Sequence, residues 1–307
     1  MKKMREEWKG TEVIPRLADI YRQLYLRPEE GAEEAYRDIV LRGNEPKEKN
    51  LSHFITSPGD SCVWEETPAG PVRVVTLRER ADFETFLQIM ANRCVPTEIH
   101  PTQGASILDG VINRRKIEAH QEAFIRQAAE RGELLPDWAA EFKRFTSDKR
   151  NYTEALIILS AGPYSGIAAG EMGMEEAEWL ERSYMIRKAH ECTHFLCRRR
   201  YPEKIDPIWD ELVADAVGLY AAFGRYDPET AERFLGIRDG VYRDGRLQIY
   251  AGPEERDALA GRIHGTLPEI RKECETLGEN EAPYELAVRL EERKEELWPA
   301  GGQKNCE

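Results

Sequence analysis

"KAHECTHFLCRRR", residues 188–200, holds His190, Glu191 and His194 in the order H-E-x-x-H. Apolar residues recur around it at helical spacing and Pro202 lies just past the run, which predicts a long helix from about Met174 to Arg200. Residues four apart share one helix face, and His190 and His194 can aim both imidazoles at a single point. Glu191 is turned about 100° from His190 and flanks that point, where a general base takes a proton from a water held by a metal. Chance alone yields H-E-x-x-H in roughly 1–2% of chains of this length and composition. A two-histidine site also needs a third protein ligand.

Glu211 stands seventeen positions after His194, in "WDELVADAVG". Its segment, "DPIWDELVADAVGLYAAFG", reads as a second helix, with Pro207 suited to the first turn and Gly224 to the end. A carboxylate there completes a His₂Glu set and leaves a fourth position open. Asp215 follows Glu211 by one turn, where a carboxylate can accept the spare N–H of a ligand histidine and fix its tautomer. The two halves together arise by chance far less often than either alone.

H-E-x-x-H followed by E-x-x-x-D, each on its own helix, resembles a gluzincin, the zinc metallopeptidase class of thermolysin and the thermolysin-like aminopeptidases. The resemblance covers about 65 of the 307 residues. It implies that His190, His194 and Glu211 bind Zn²⁺, that Glu191 is the general base, and that Asp215 orients His190. It also implies a zincin-like metal half, with a small sheet and two ligand-bearing helices. The class places a strand just before the metal helix, and its edge takes up an extended peptide. "ALIILSAGPYSG", residues 155–166, stands in that place, and a free strand edge can bind a peptide by β-augmentation. The His194–Glu211 spacing is at the short end for the class, and no aminopeptidase amine-recognition motif is present. Peptide cleavage is therefore what class membership implies.

Acyl hydrolysis also needs a donor for the developing oxyanion. His264 is the only histidine after the motif and is the catalytic candidate for that role, with Tyr226, Tyr242 and Tyr250 also downstream. Arg187 and Arg198 share the functional face of the metal helix and could take a substrate carboxylate, as could Tyr242 and Tyr250 by hydrogen bonding. Pairing of the arginines with local glutamates is the plainer alternative. His100 and His120 are alternative ligands or surface residues. Cys192 and Cys197 read as small packing residues, and the six cysteines include no C-x-x-C pair.

The formal charge of −13 repels phosphate backbones and anionic membranes, so neither nucleic acid nor membrane is expected as a partner. A peptide or protein substrate is expected instead. The start, "MKKMREEWKG", has positive charge but no apolar region behind it, and the expected compartment is the cytoplasm. A different function class fits the same motif: a non-catalytic or latent zincin-like module that regulates or binds a partner.

The fold expected is α+β and α-rich. Residues 1–150 read as a mainly helical N-terminal region, with a hairpin formed by "CVWEE" and "VRVVTL" around "TPAG". Within it, a loop containing Pro96, His100, Pro101 and Gly104 is expected to enter a helix from near Ser106 or Asp109 to about Arg131. Residues 151–300 read as the metal-binding half. It opens with the strand "YTEALIILS" and includes a hairpin turning at Asp244-Gly245 and a final charged helix, "PYELAVRLEERKEELW". Residues 301–307 are expected to fray.

Overall fold

The apolar runs at 72–77 and 155–159 become adjacent parallel strands, with Val74 opposite Ile157, as runs buried on both faces do. The computed structural model describes residues 6–100, 103–204, 206–278 and 281–299, and its fold is α+β and rich in helix. The chain divides into two units: Met1–Trp64 with Val72–Ser160, and Glu65–Pro71 with Ala161–Glu307.

The first unit runs through β1 (Trp8–Lys9), α1 (Val13–Ala18), α2 (Glu33–Arg37), β2 (Ser61–Thr67), β3 (Gly70–Leu77), α3 (Arg80–Met90), β4 (Ala105–Ile112), α4 (Arg114–Glu130), α5 (Trp138–Thr146) and β5 (Thr153–Ser160). The tip of the β2–β3 hairpin belongs to the second unit. The strands form one mixed sheet in the order β1-β2-β3-β5-β4. Leu17, Tyr21, Phe83 and Phe86 are buried in one core cluster with Ile158 of β5. Each such side chain contributes about 1.5–3 kcal/mol on leaving water.

The structure departs from the sequence expectation at two strands. Residues 105–112 are a strand, not a helix start: β4 runs antiparallel to β5 with Ile107 opposite Ile157, and the helix begins only at Arg114. The pairing is interrupted between Leu108 and Val111, where Gly110 takes a left-handed φ of 72°. That bulge breaks the alternation by which a strand shows itself in sequence. Secondly, β5 has no free edge. It lies between β3 and β4, so "ALIILS" cannot add a peptide strand.

The second unit contains α6 (Glu176–Arg200), α7 (Pro207–Phe223), α8 (Pro228–Leu235), β6 (Ile237–Arg238), β7 (Val241–Tyr242), α9 (Arg256–Glu275), α10 (Pro283–Glu292) and α11 (Lys294–Leu297). The start of α7 is fixed by Asp206, whose side chain accepts the N–H groups of Ile208 and Trp209 at 3.0 Å each. Its end is Gly224, left-handed at φ 66°. In between, Trp209, Leu212, Val213, Ala216, Val217 and Leu219 are all buried, and so are the carboxylate-bearing Asp210, Glu211 and Asp215. The helix packs closely on α6 at Gly218, where a Cβ would meet both Ile186 Cγ2 and the Ile186 carbonyl oxygen at 3.0 Å.

The β6–β7 hairpin turns at Asp239-Gly240, not at Asp244-Gly245. Asp239 and Gly240 have φ of 51° and 72°, the paired left-handed residues of a two-residue hairpin turn, whereas 246–249 form a 3₁₀ turn. The sequence offers "RDG" twice, and only packing separates the copies. The expected single C-terminal helix is divided at Arg293 into α10 and α11. The tail expected to fray lies outside the described residues. Among the described residues no helix is long and apolar enough to cross a membrane.

Candidate metal centre

Within the second unit, α6 presents His190 and His194 on one face, and α7 brings Glu211 against them. His190 Nε2 and His194 Nε2 are 3.0 Å apart, and His194 Nε2 lies 3.1 Å from Glu211 Oε1. His190 Nε2 is 3.6 Å from Glu211 Oε2. All three side chains are buried, and each offers a ligand atom to the same point.

The tautomer of His190 follows from its far side. Its Nδ1 is 2.9 Å from Asp215 Oδ1 and 2.8 Å from the Tyr164 hydroxyl. Tyr164 donates its own proton to Asp215 Oδ1 at 2.7 Å, so the hydrogen on the other edge of that triangle must come from His190 Nδ1. Nε2 then carries a lone pair, aimed into the cluster. A buried carboxylate oxygen, Glu211 Oε2, has no hydrogen-bond partner. Buried polar atoms are rarely left in that state without an ion or water.

The donor set fits zinc. Ligand atoms about 2.0–2.1 Å from a tetrahedral ion lie roughly 3.3 Å from one another, and the histidine nitrogens at 3.0 Å, with a Glu211 oxygen 3.1 Å from His194, are close to that spacing. Two nitrogens and one carboxylate oxygen match the ligand set of an open hydrolytic site.

Charge around the cluster is compensated from one side. Arg246 ion-pairs with Asp215, approaches Glu211 Oε2 to 3.6 Å, and donates from Nη1 to the Tyr164 hydroxyl at 2.9 Å. Burial alone would raise the Glu211 carboxyl, but Arg246 and the two histidines hold it well below the usual carboxylate range. For His194, burial pulls the imidazole pKa down, and the hydrogen-bonded Glu211 carboxylate more than offsets this, raising it. Burial, and then the negative charge of Glu211, push the Tyr250 hydroxyl upward.

The other candidates are placed unevenly. Glu191 is half-buried, and its charge acts on His194. Arg187 is buried and donates to the carbonyls of Gly162 and Pro163 at 3.0 and 3.1 Å, which ties it to the loop before α6. Arg198 is exposed on the last turn of α6. Tyr242 is turned to the backbone of Gly245, which donates to its hydroxyl at 3.1 Å. His264 is bound through Nδ1 to Glu232 at 2.6 Å, and its ring rests on Gly240. Tyr226 is buried. His120 belongs to the first unit and pairs with Glu141.

Tyr164 and Arg246 escaped the sequence reasoning. Tyr164 sits in "AGPYSG", which reads as a turn and nothing more, and Arg246 is one of 44 Lys and Arg residues. Only the folded chain brings Tyr164 to His190 and Arg246 to Asp215.

Residues 4–292 match a family described as "Family of unknown function (DUF7005)". The match spans most of the chain, which belongs to that family. No curated protein matches the chain. No solved structure matches it either.

Proposed function

We propose that this member of the family of unknown function is a zinc-dependent hydrolase of the gluzincin type, acting as a peptidase on a peptide or protein substrate in the cytoplasm. The supporting observation is the convergence of His190, His194 and Glu211, with Glu191 beside the first ligand and Asp215 behind it. A zinc ion held by those three side chains supplies Lewis acidity, which polarises a carbonyl and lowers the pKa of water.

The chain's own groups divide the remaining work. Glu191 takes the proton of the attacking water and returns it to the leaving amine. Asp215 holds His190 in the tautomer that keeps Nε2 free. Tyr250, near enough to Glu211 for the carboxylate charge to act on its hydroxyl, donates to the oxyanion that develops on the carbonyl. The resemblance of H-E-x-x-H and E-x-x-x-D to gluzincins supports an amide bond as the target, within a zincin-like metal half. Glu191→Gln tests the assignment: zinc content should equal wild type while cleavage of a peptide library, read by mass spectrometry, disappears. Cleavage at the wild-type rate would remove Glu191 from the mechanism.

A further inference from the structure

We propose that Tyr164 is a positioning residue of the metal centre, one that fixes the His190 imidazole and completes the zinc-binding geometry. The inference rests on the zinc-hydrolase function proposed above and assigns a role to a residue outside its ligand set.

Tyr164 is 4% exposed, and its hydroxyl is a hub for three groups. It donates to Asp215 Oδ1, accepts from Arg246 Nη1, and lies 2.8 Å from His190 Nδ1. A single carboxylate behind a ligand histidine sets its tautomer but leaves the ring free to rock about the hydrogen bond. A second oxygen at the same Nδ1 removes that freedom. The aromatic ring of Tyr164 meets His190 edge-on, with centroids 5.8 Å apart, and packs edge-on against Phe234 at 4.8 Å.

The hydroxyl can act this way only if its own backbone is held, and the loop before α6 is tied down along its length. Ser183 Oγ accepts the Tyr164 N–H at 2.9 Å, Arg187 binds the carbonyls of Gly162 and Pro163, and Trp179 Nε1 donates to the Ile167 carbonyl at 2.7 Å. Ser165 and Gly166 then take left-handed φ of 51° and 71°, turning the chain sharply after the tyrosine. A non-glycine residue in that region is unfavourable by itself and persists where surrounding contacts enforce it. All three anchoring side chains come from α6, the helix that carries the histidines. Tyr164 is thus fixed in the frame of the ligands it orients.

The test measures zinc affinity by competition with a chromophoric chelator, for wild type and Tyr164→Phe, together with the visible spectrum of the Co²⁺-loaded proteins. The substitution keeps the ring packing and deletes only the hydroxyl. Loss of an outer-shell partner typically weakens metal binding 10–100-fold. The expected result is a loss in that range, with altered cobalt ligand-field bands, a change that lowered stability alone does not produce. If the phenylalanine variant fails to fold, Ser183→Ala releases the Tyr164 backbone and should weaken zinc several-fold with the hydroxyl still present. Wild-type affinity and an unchanged cobalt spectrum in whichever variant folds would overturn the positioning role alone. A wild-type chain that binds no zinc would overturn the proposed function and this inference with it.

Discussion

His190 Nε2 and His194 Nε2 face each other across 3.0 Å, and His190 Nδ1, at the far side of its ring, lies 2.9 Å from Asp215 Oδ1. With Glu211 alongside, the interior of the second unit gathers three buried polar side chains around one point, where a divalent cation would give them a common partner.

Removal of metal should therefore destabilise the fold. Chelation followed by thermal unfolding is expected to lower Tm, and added zinc to restore it. At a thousandfold excess over Kd the ligand contributes about 4 kcal/mol. Identical curves with chelator and with zinc would contradict this.

Gly218 sets how closely the two ligand helices approach. A branched side chain there meets the Ile186 backbone and must push α7 away from α6. Gly218→Val should cost about 1–3 kcal/mol by urea unfolding and weaken zinc binding in parallel. Wild-type stability and affinity would show that the contact has slack.

Tyr250 and His264 separate cleanly as donors. The charge of the Glu211 carboxylate reaches the Tyr250 hydroxyl, whereas His264 is bound to Glu232. Tyr250→Phe should lower kcat about 10²–10³-fold with zinc retained, while His264→Ala should leave kcat within a few-fold of wild type. The reverse ranking would return the role to His264.

Glu291 predicts a pH dependence of stability. It is 1% exposed, and burial, with the charge of Asp210 adding to it, raises its pKa to about 7. Because the folded pKa exceeds the unfolded value of about 4.3, the native state binds the extra proton. The associated stability is full below about pH 4 and is lost as pH rises to about 7. Glu291→Gln should flatten that decline and be more stable than wild type at pH 8, by on the order of 1–3 kcal/mol in urea unfolding. A variant with the wild-type slope would place the pH dependence elsewhere.

The parts of the fold legible in sequence were those with local signals. Pro207 and Gly224 bracket α7, and the four-residue spacing of His190 and His194 needs only a helix to bring the rings together. Glu211 was within reach because its own helix carries Asp215 one turn on. What sequence hid depends on long-range pairing. β4 is a strand because β5 accepts it, with a bulge obscuring its alternation, and β5 is interior because strands pair on both its sides. Helix α9 carries Gly261, Gly265 and Pro268, breakers that packing overrides. Tyr164 reaches His190 from 26 residues before it in sequence, and Arg246 reaches Asp215 from 31 residues after it. No short-range pattern encodes such a meeting.

Metal content decides whether His190, His194 and Glu211 form a zinc site. The measurement is mass spectrometry of protein purified without added metal, wild type and Glu211→Ala side by side, with circular dichroism to check folding. About one zinc per wild-type chain, lost in a folded Glu211→Ala, is the predicted result. A wild-type chain that holds no stoichiometric metal, even after zinc is offered, would contradict it and leave "HECTH" an ordinary stretch of buried helix.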